Sequence, residues 1–412
     1  MNKQNRSPLL LMALTILIDF TGFGLVIPLL PFWAEHLGAN ALGVGFIITV
    51  YALAQFIFTP ILGALSDRYG RKPVILWSLV IEVISLILTA LAGSLPILLA
   101  VRFISGLGAS NIGSAQAVVS DVTTKQERAR GMGLIGASIG LGFVIGPALG
   151  GLLSPLGSTV PFWVAASVAC INALLVLFFL PETRNWQNGV QSTRRGNLFT
   201  GWGIVARYPL VLRLVVINLL FTIAFTIMES VLALFTQKNF GWTASQNGYL
   251  FTYVGVIVVV MQGGLVGQLV KRWKEHAVLI MGLAVLTAGL LLLAFSSQIG
   301  LILASLGLIS IGEGAITPII STLLSFASPA EAQGEILGVS QGVGGLGRIV
   351  GPLAAGSIFA LAGSGTPFIL SGILSVLAMG LAFPAVVASS RATPNTVSQE
   401  ATTEARKPSR VS

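Results

Sequence analysis

Six ionisable side chains lie inside long apolar runs of this 412-residue chain: Asp19, Glu82, Arg102, Glu229, Glu313 and Arg348. An ionised group at the centre of a bilayer costs about 2.5–3.5 kcal/mol on insertion scales, so function or pairing must retain at least some of the six. Four acids and two cations could carry protons, meet a charged ligand, or simply neutralise one another between helices. Asp19 offers the clearest chemistry. It stands beside Thr21, Gly22 and Gly24, small residues that admit a neighbouring helix and solvent. In such a place desolvation favours the neutral carboxyl and a nearby cation favours the charged one, and a balance between them is what a coupling-proton site requires. Arg102, in the run Arg102-Phe-Ile-Ser-Gly-Leu-Gly, is the cation on offer, and Glu82 is a second acid placed to face a polar crevice. Glu229 and Glu313 fall in the other half of the chain, where a cationic or polar substrate could be met. A buried, hydrogen-bonded acid is an equal alternative for each. Asn111 and Gln116 on the fourth apolar run are further candidate substrate contacts.

The rest of the composition removes other chemistries. The single cysteine, Cys170, lies in an apolar run, and the two histidines, His36 and His276, lie at span ends. Neither a disulfide framework nor a Cys- or His-based metal site is expected. No Gly-x-x-x-x-Gly-Lys-Ser/Thr phosphate loop occurs, which weighs against a built-in ATPase. Neither a cofactor nor an enzymatic activity is expected.

Those six residues need elements to place them. Charged residues make up 9% of the chain and hydrophobic ones 54%, whereas about a quarter of ordinary soluble composition is charged. The bilayer must be the solvent. Twelve apolar spans are predicted near 9–33, 43–65, 73–93, 95–118, 130–153, 161–181, 210–237, 245–270, 276–296, 298–326, 334–361 and 366–388. Each is long enough to cross the hydrocarbon core. The first is too long, and too polar at its centre, for a cleaved signal segment, and reads as a retained span.

The net charge of +9 follows this topology. Both termini and the even-numbered connections carry 20 Lys and Arg residues, the opposite connections carry only Lys238, and Arg102 and Arg348 complete the 23. That bias places both termini in the cytoplasm. It is a membrane footprint, and no nucleic-acid partner is expected.

The chain also repeats itself. Gly63-Ala-Leu-Ser-Asp-Arg-Tyr finds Gly267-Gln-Leu-Val-Lys-Arg-Trp at an offset of 204, and Gly146-Pro-Ala-Leu-Gly-Gly finds Gly351-Pro-Leu-Ala-Ala-Gly at 205. Gly106-Leu-Gly finds Gly312-Glu-Gly at 206. Six spans per half make the repeats parallel, with a cavity between two bundles and access alternating as they rock. The expected organisation is a bundle over 1–181, a cytoplasmic linker over 182–208, a second bundle over 209–388 and a disordered tail over 389–412.

Two local patterns carry further information. The segment Gly63 to Lys72 joins two spans through a short turn holding Asp67, Arg68, Gly70 and Arg71. Glycines let the turn close, while Asp67 can cap a helix and pair with Arg68 or Arg71, a latch between conformations. The fifth span carries Gly136, Gly140, Gly142, Gly146-Pro147 and Gly150-Gly151. Small residues at that spacing pack helices closely in membranes, and Gly-Pro adds a point of bending.

With these motifs in view the chain resembles the major facilitator superfamily. The Gly63–Lys72 segment is similar to its signature loop, and the fifth-span glycines to the antiporter motif of its drug/proton antiporters. Runs from Asp19-Phe-Thr-Gly-Phe-Gly through Ser-Asp-Arg-Tyr-Gly-Arg-Lys-Pro, Arg102 to Gly108 and Phe-Leu-Pro-Glu-Thr at 179–183 resemble the tetracycline-resistance branch. The resemblance implies an all-α fold of twelve membrane helices in two six-helix bundles and proton-driven export. It places Asp19 and Arg102 in the proton pathway and Asp67 in the gate. Tetracycline exporters carry an acid where Ser85 stands here, one turn from Glu82, and another on the ninth helix, where this chain has none after His276. A metal–tetracycline chelate is therefore not the expected substrate. The leading expectation is a monomer in a bacterial inner membrane that exchanges protons for a small amphipathic or cationic compound. The alternative is a symporter or facilitator importing a metabolite.

Overall fold

The computed structural model describes residues 3–124, 127–183, 198–329 and 332–391, and all regular structure among them is helical. The first six spans are α1 (Lys3–His36), α2 (Ala41–Tyr69), α3 (Arg71–Ala90), α4 (Leu95–Val122, with a 3-10 turn at Ala109–Asn111), α5 (Arg128–Leu153) and α6 (Val160–Phe179). A short helix, Leu198–Arg207, precedes α7 (Pro209–Phe240). It occupies part of the connection expected to be a polar linker, and it seats Val205, which is fully buried. The remainder of that linker, 184–197, and the tail beyond residue 391 lie outside the described residues.

The helical stretch Ala244–Ala294 is 51 residues long. At 1.5 Å per residue it would reach about 77 Å, more than twice the roughly 30 Å hydrocarbon core. The backbone resolves this. Lys274 is non-helical, with φ 62° and ψ 161°, and reverses the chain. The stretch is therefore two spans, α8 (244–273) and α9 (275–294), and α8 contains a π-helical turn at Met261–Leu265. With α10 (Ile299–Ala327), α11 (Gln333–Ala362) and α12 (Thr366–Arg391) the spans number twelve.

Packing repeats with the sequence. In the first half α1 packs on α5 and α6, α2 on α4, and α3 on α4 and α6. In the second, α7 packs on α11 and α12, α8 on α10, and α9 on α10 and α12. The second set is the first with six added to each helix number. Two seams join the bundles, α2 with α11 and α5 with α8. The same operation exchanges them.

Glycines set how close these helices come. A methyl added at Gly146 would lie 2.8 Å from the Leu25 amide nitrogen, and one at Gly142 2.9 Å from that of Thr21, so α5 meets α1 backbone to backbone. The repeat-equivalent Gly347 and Gly351 press on Thr222 and Thr226 of α7. A different stripe of α5 faces the other bundle. Gly151 meets Gly248 of α8, and Ser245 Oγ donates to the Gly151 carbonyl at 2.7 Å. On the second seam Gly45 of α2 meets Pro352 and Gly356 of α11, and Thr49 Oγ1 donates to the Ile349 carbonyl at 3.2 Å.

These contacts gather at one face of the molecule, the face opposite the α2–α3 and α8–α9 turns. Followed the other way, the same stripes separate. Among the described residues, methyls at Gly136 and Gly133 on α5, Gly263 on α8, and Gly342, Gly338 and Gly334 on α11 would touch nothing within 4 Å. The bundles are sealed at one face and parted at the other.

Candidate functional site

Asp19 lies two turns before the proline pair of α1, where Gly22 and Gly24 leave room for α3 and α5. Its carboxylate accepts Asn111 Nδ2 of α4 at 2.8 Å and Asn172 Nδ2 of α6 at 3.1 Å. Asn111 is buried, and Asn172 fully so. A carboxylate in the bundle interior is thus satisfied by two neutral amides, not by a guanidinium. Hydrogen bonds to an ionised group contribute about 1.5–3 kcal/mol, roughly twice the neutral kind. Glu82 projects from α3 toward α1, its Oε1 3.7 Å from where a Gly22 side chain would begin. The two carboxyls stand close enough to repel one another.

Arg102 is 4% exposed. Its Nη2 donates to Thr89 Oγ1 at 2.7 Å, while Nε has no acceptor among the described residues. Tyr51 of α2 stands between the charged groups, in electrostatic range of Glu82, Arg102, Arg348 and Asp19. Its ring stacks on Phe23 at 5.6 Å, and Phe23 packs edge-on to Phe143 at 5.9 Å. Glu229 of α7 faces Arg348 of α11 electrostatically, and Glu313 of α10 faces Glu229. The second half therefore holds an acid pair beside one cation. A small pocket between α1, α2, α4 and α7 brings Tyr51, Arg102, Glu229 and Ser230 together.

The structure thus assembles Asp19 with Glu82, and Arg102 with Glu229. Asn111 meets the Asp19 carboxylate. Gln116 is exposed, and its backbone carbonyl accepts Ser120 Oγ at 3.1 Å. Sequence reasoning did not single out Tyr51, Thr89 or Asn172. None is charged; a lone mid-span tyrosine and an asparagine in an otherwise apolar sixth span were the available signals.

The α2–α3 turn forms its own polar cluster. Arg71 Nη1 binds Asp67 Oδ1 at 2.6 Å and Arg71 Nε binds Asp121 Oδ2 of α4 at 3.1 Å. Glu182, just past α6, accepts the backbone amides of Arg71 and Lys72 at 2.9 and 3.2 Å. An acid at the positive end of a helix is favourable, and here it caps α3. Gly70 is required twice over, by φ 108° and by the Glu182 carboxylate lying against its Cα. Arg68 stacks on Tyr69 at 5.2 Å. On α5, Gly146 and Gly150 seat α1, Gly140 faces α8, Pro147 sets its ring against Gly24 of α1 and its carbonyl against Gly248 of α8, and Gly136 faces open space.

Comparisons with known proteins agree with this architecture. The family model described as Major Facilitator Superfamily matches residues 12–298 and 264–411. The class H tetracycline resistance protein of Pasteurella multocida is 32% identical over 363 residues, covering 86% of this chain and 89% of that protein. Multidrug resistance protein 2 of Bacillus subtilis is 28% identical over 386 residues, covering 92% and 95%. Among solved structures, the human organic anion transporter MFSD10 superposes with a TM-score of 0.70 at 25% identity, over 92% of this chain and all of that one.

Proposed function

The chain belongs to the Major Facilitator Superfamily, and on that footing we propose that it exports a small amphipathic or cationic compound in exchange for protons. It is a multi-pass membrane transporter and not an enzyme. Residues 1–181 and 209–388 act as the two rocking bundles, joined by 182–208, with the tail 389–412 beyond. The membrane is a bacterial inner membrane. Both termini lie in the cytoplasm, so the parted face opens inward.

The observation that carries the proposal is the Asp19 carboxylate held by Asn111 and Asn172 with Glu82 at its side. Ionised, Asp19 ties α1 to α4 and α6 through charge-assisted hydrogen bonds. Protonated, it loses part of that hold, and α1, whose backbone is seated in α5, is freed to shift with the α5–α8 seam. Glu82 adds a second acid whose like charge repels that of Asp19, so a proton on either relieves the pair. Arg102 and Tyr51 fix the field around them. Each proton entering down 100 mV supplies about 2.3 kcal/mol, enough for roughly fiftyfold accumulation of substrate.

The test is a proteoliposome experiment. Protein is reconstituted with a pH-sensitive dye inside, a proton gradient is imposed, and cationic, zwitterionic and neutral drugs are added in turn. Substrate-triggered proton flux opposite to drug movement is expected, and the Asp19→Asn protein should bind drug yet show no proton flux. Flux in the same direction as drug, or unaltered antiport in Asp19→Asn, overturns the proposal.

A further inference from the structure

We infer that the pocket between α1, α2, α4 and α7 is a subsite for a zwitterionic head group, with Arg102 receiving an acidic group and Glu229 a basic one. The inference deepens the export reading and rests on it. The pocket encloses about 80 Å³. Pockets that enclose drug-sized ligands run to about 300–1,000 Å³, so the space suits a substituent and not a whole drug-sized molecule. Phe23, Val26 and Ile48 supply apolar walls, while Tyr51, Arg102 and Glu229 supply the polarity.

Arg102 is the reason for the acidic group. A guanidinium offers five N–H donors in a planar fork suited to a carboxylate. Here, at 4% exposure, one terminal nitrogen donates to Thr89, and Nε finds no acceptor among the described residues. A buried cation with unused donors is costly to leave unmet. The plain alternative is that Glu229 already neutralises it. Among the described residues no ion pair within 4 Å joins the two, and the ion pairs found lie at the α2–α3 turn. Opposite charges line one pocket without touching.

Their placement gives the pocket a mechanical meaning. Arg102 belongs to the first bundle and Glu229 to the second. A molecule carrying both an acid and an amine spans them; a purely cationic one leaves Arg102 unmet, and a purely anionic one leaves Glu229 unmet.

The experiment uses a panel of aromatic amino acids and amino-acid-like drugs, each supplied as the free zwitterion, its methyl ester and its N-acetyl acid. Proton-coupled exchange is measured in proteoliposomes, and binding in nanodiscs at fixed pH. Both maskings are expected to weaken binding at least tenfold in the native protein. In Arg102→Gln the zwitterion and its ester should bind alike, and in Glu229→Gln the zwitterion and its N-acetyl form should bind alike. Arg102→Lys should restore part of the preference for the free acid, which separates lost recognition from misfolding. Esters that bind and exchange as well as the zwitterions would overturn the inference while leaving the export reading standing. Exchange by no member of the panel, with a wider drug set equally silent, would overturn both.

Discussion

At the scale of single residues, two backbone positions separate what the repeat preserved from what it let drift. Gly70 has φ 108° and ψ 160°, and its equivalent at an offset of 204, Lys274, has φ 62° and ψ 161°. The reversal between spans is kept, but the second copy places a side chain where a glycine belongs. A residue held in this region costs about 1–3 kcal/mol. Lys274→Gly should therefore stabilise the protein by about 1 kcal/mol or more, seen as a raised thermal midpoint in detergent. Gly70→Ala should do the reverse, because the methyl would also displace the Glu182 cap of α3. A second prediction concerns Asn172. Asn172→Ala removes one of two donors to Asp19, and at about 1.5–3 kcal/mol for a charged hydrogen bond substrate-driven proton flux should change at least tenfold. Flux within twofold of the native rate would show that Asn111 alone positions the carboxylate. The ionisable residues were legible in the sequence because charge in an apolar run is rare. Their partners were not: Asn172 lies 153 positions from Asp19 and meets it only through the packing of α1 on α6.

At the scale of elements, the glycines of α5 divide into two jobs that sequence spacing alone could not separate. Gly142, Gly146 and Gly150 bring α5 against α1, whereas Gly151 and Gly140 face α8 across the bundle seam, and Pro147 touches both, its ring on Gly24 and its carbonyl on Gly248. The spacing announced close packing; which neighbour each glycine faces depends on helix rotation. Gly146→Val would press on the Thr21 carbonyl and the Leu25 amide. Overpacking of this kind costs about 1–3 kcal/mol, so a lower thermal midpoint and reduced expression are expected. Gly136→Ala meets open space and gains helix propensity, worth up to about 1 kcal/mol, so the same assays should show no loss. The short helix Leu198–Arg207 is the element the sequence hid most fully. Ten residues between a polar segment and the start of α7 present no membrane-length run of their own, and the docking of Val205 reveals them.

At the scale of the whole molecule, the twelve spans and their duplication were readable because hydrophobic length and motif offsets are global signals. The α8–α9 turn was legible too, because the polar run Lys271 to His276 divides 245–270 from 276–296; only the dihedral at Lys274 that makes the reversal is local and hidden. The conformation belongs to neither signal. It follows from two glycine stripes that are in contact at one face and apart at the other. If alternating access operates, the parted stripes must meet when the sealed ones separate. A bulky side chain in a parted stripe should then leave this state intact and obstruct the opposite one. A Cβ at Gly338 on α11 meets nothing within 4 Å among the described residues as the bundles now stand, so Gly338→Leu starts into open space. It should preserve the thermal midpoint while cutting exchange at least tenfold. Gly45→Leu collides with Pro352 and Gly356 on the sealed side, and should push the population the other way. Spin labels at Ser158 and Ser364, one on each bundle at the sealed face, with Cys170 replaced by serine, read the difference directly. Gly338→Leu should keep the short label separation even with substrate present, and Gly45→Leu should lengthen it without substrate. The same separation in both variants would mean that the stripes do not close against each other and that the seam is fixed packing rather than a moving contact.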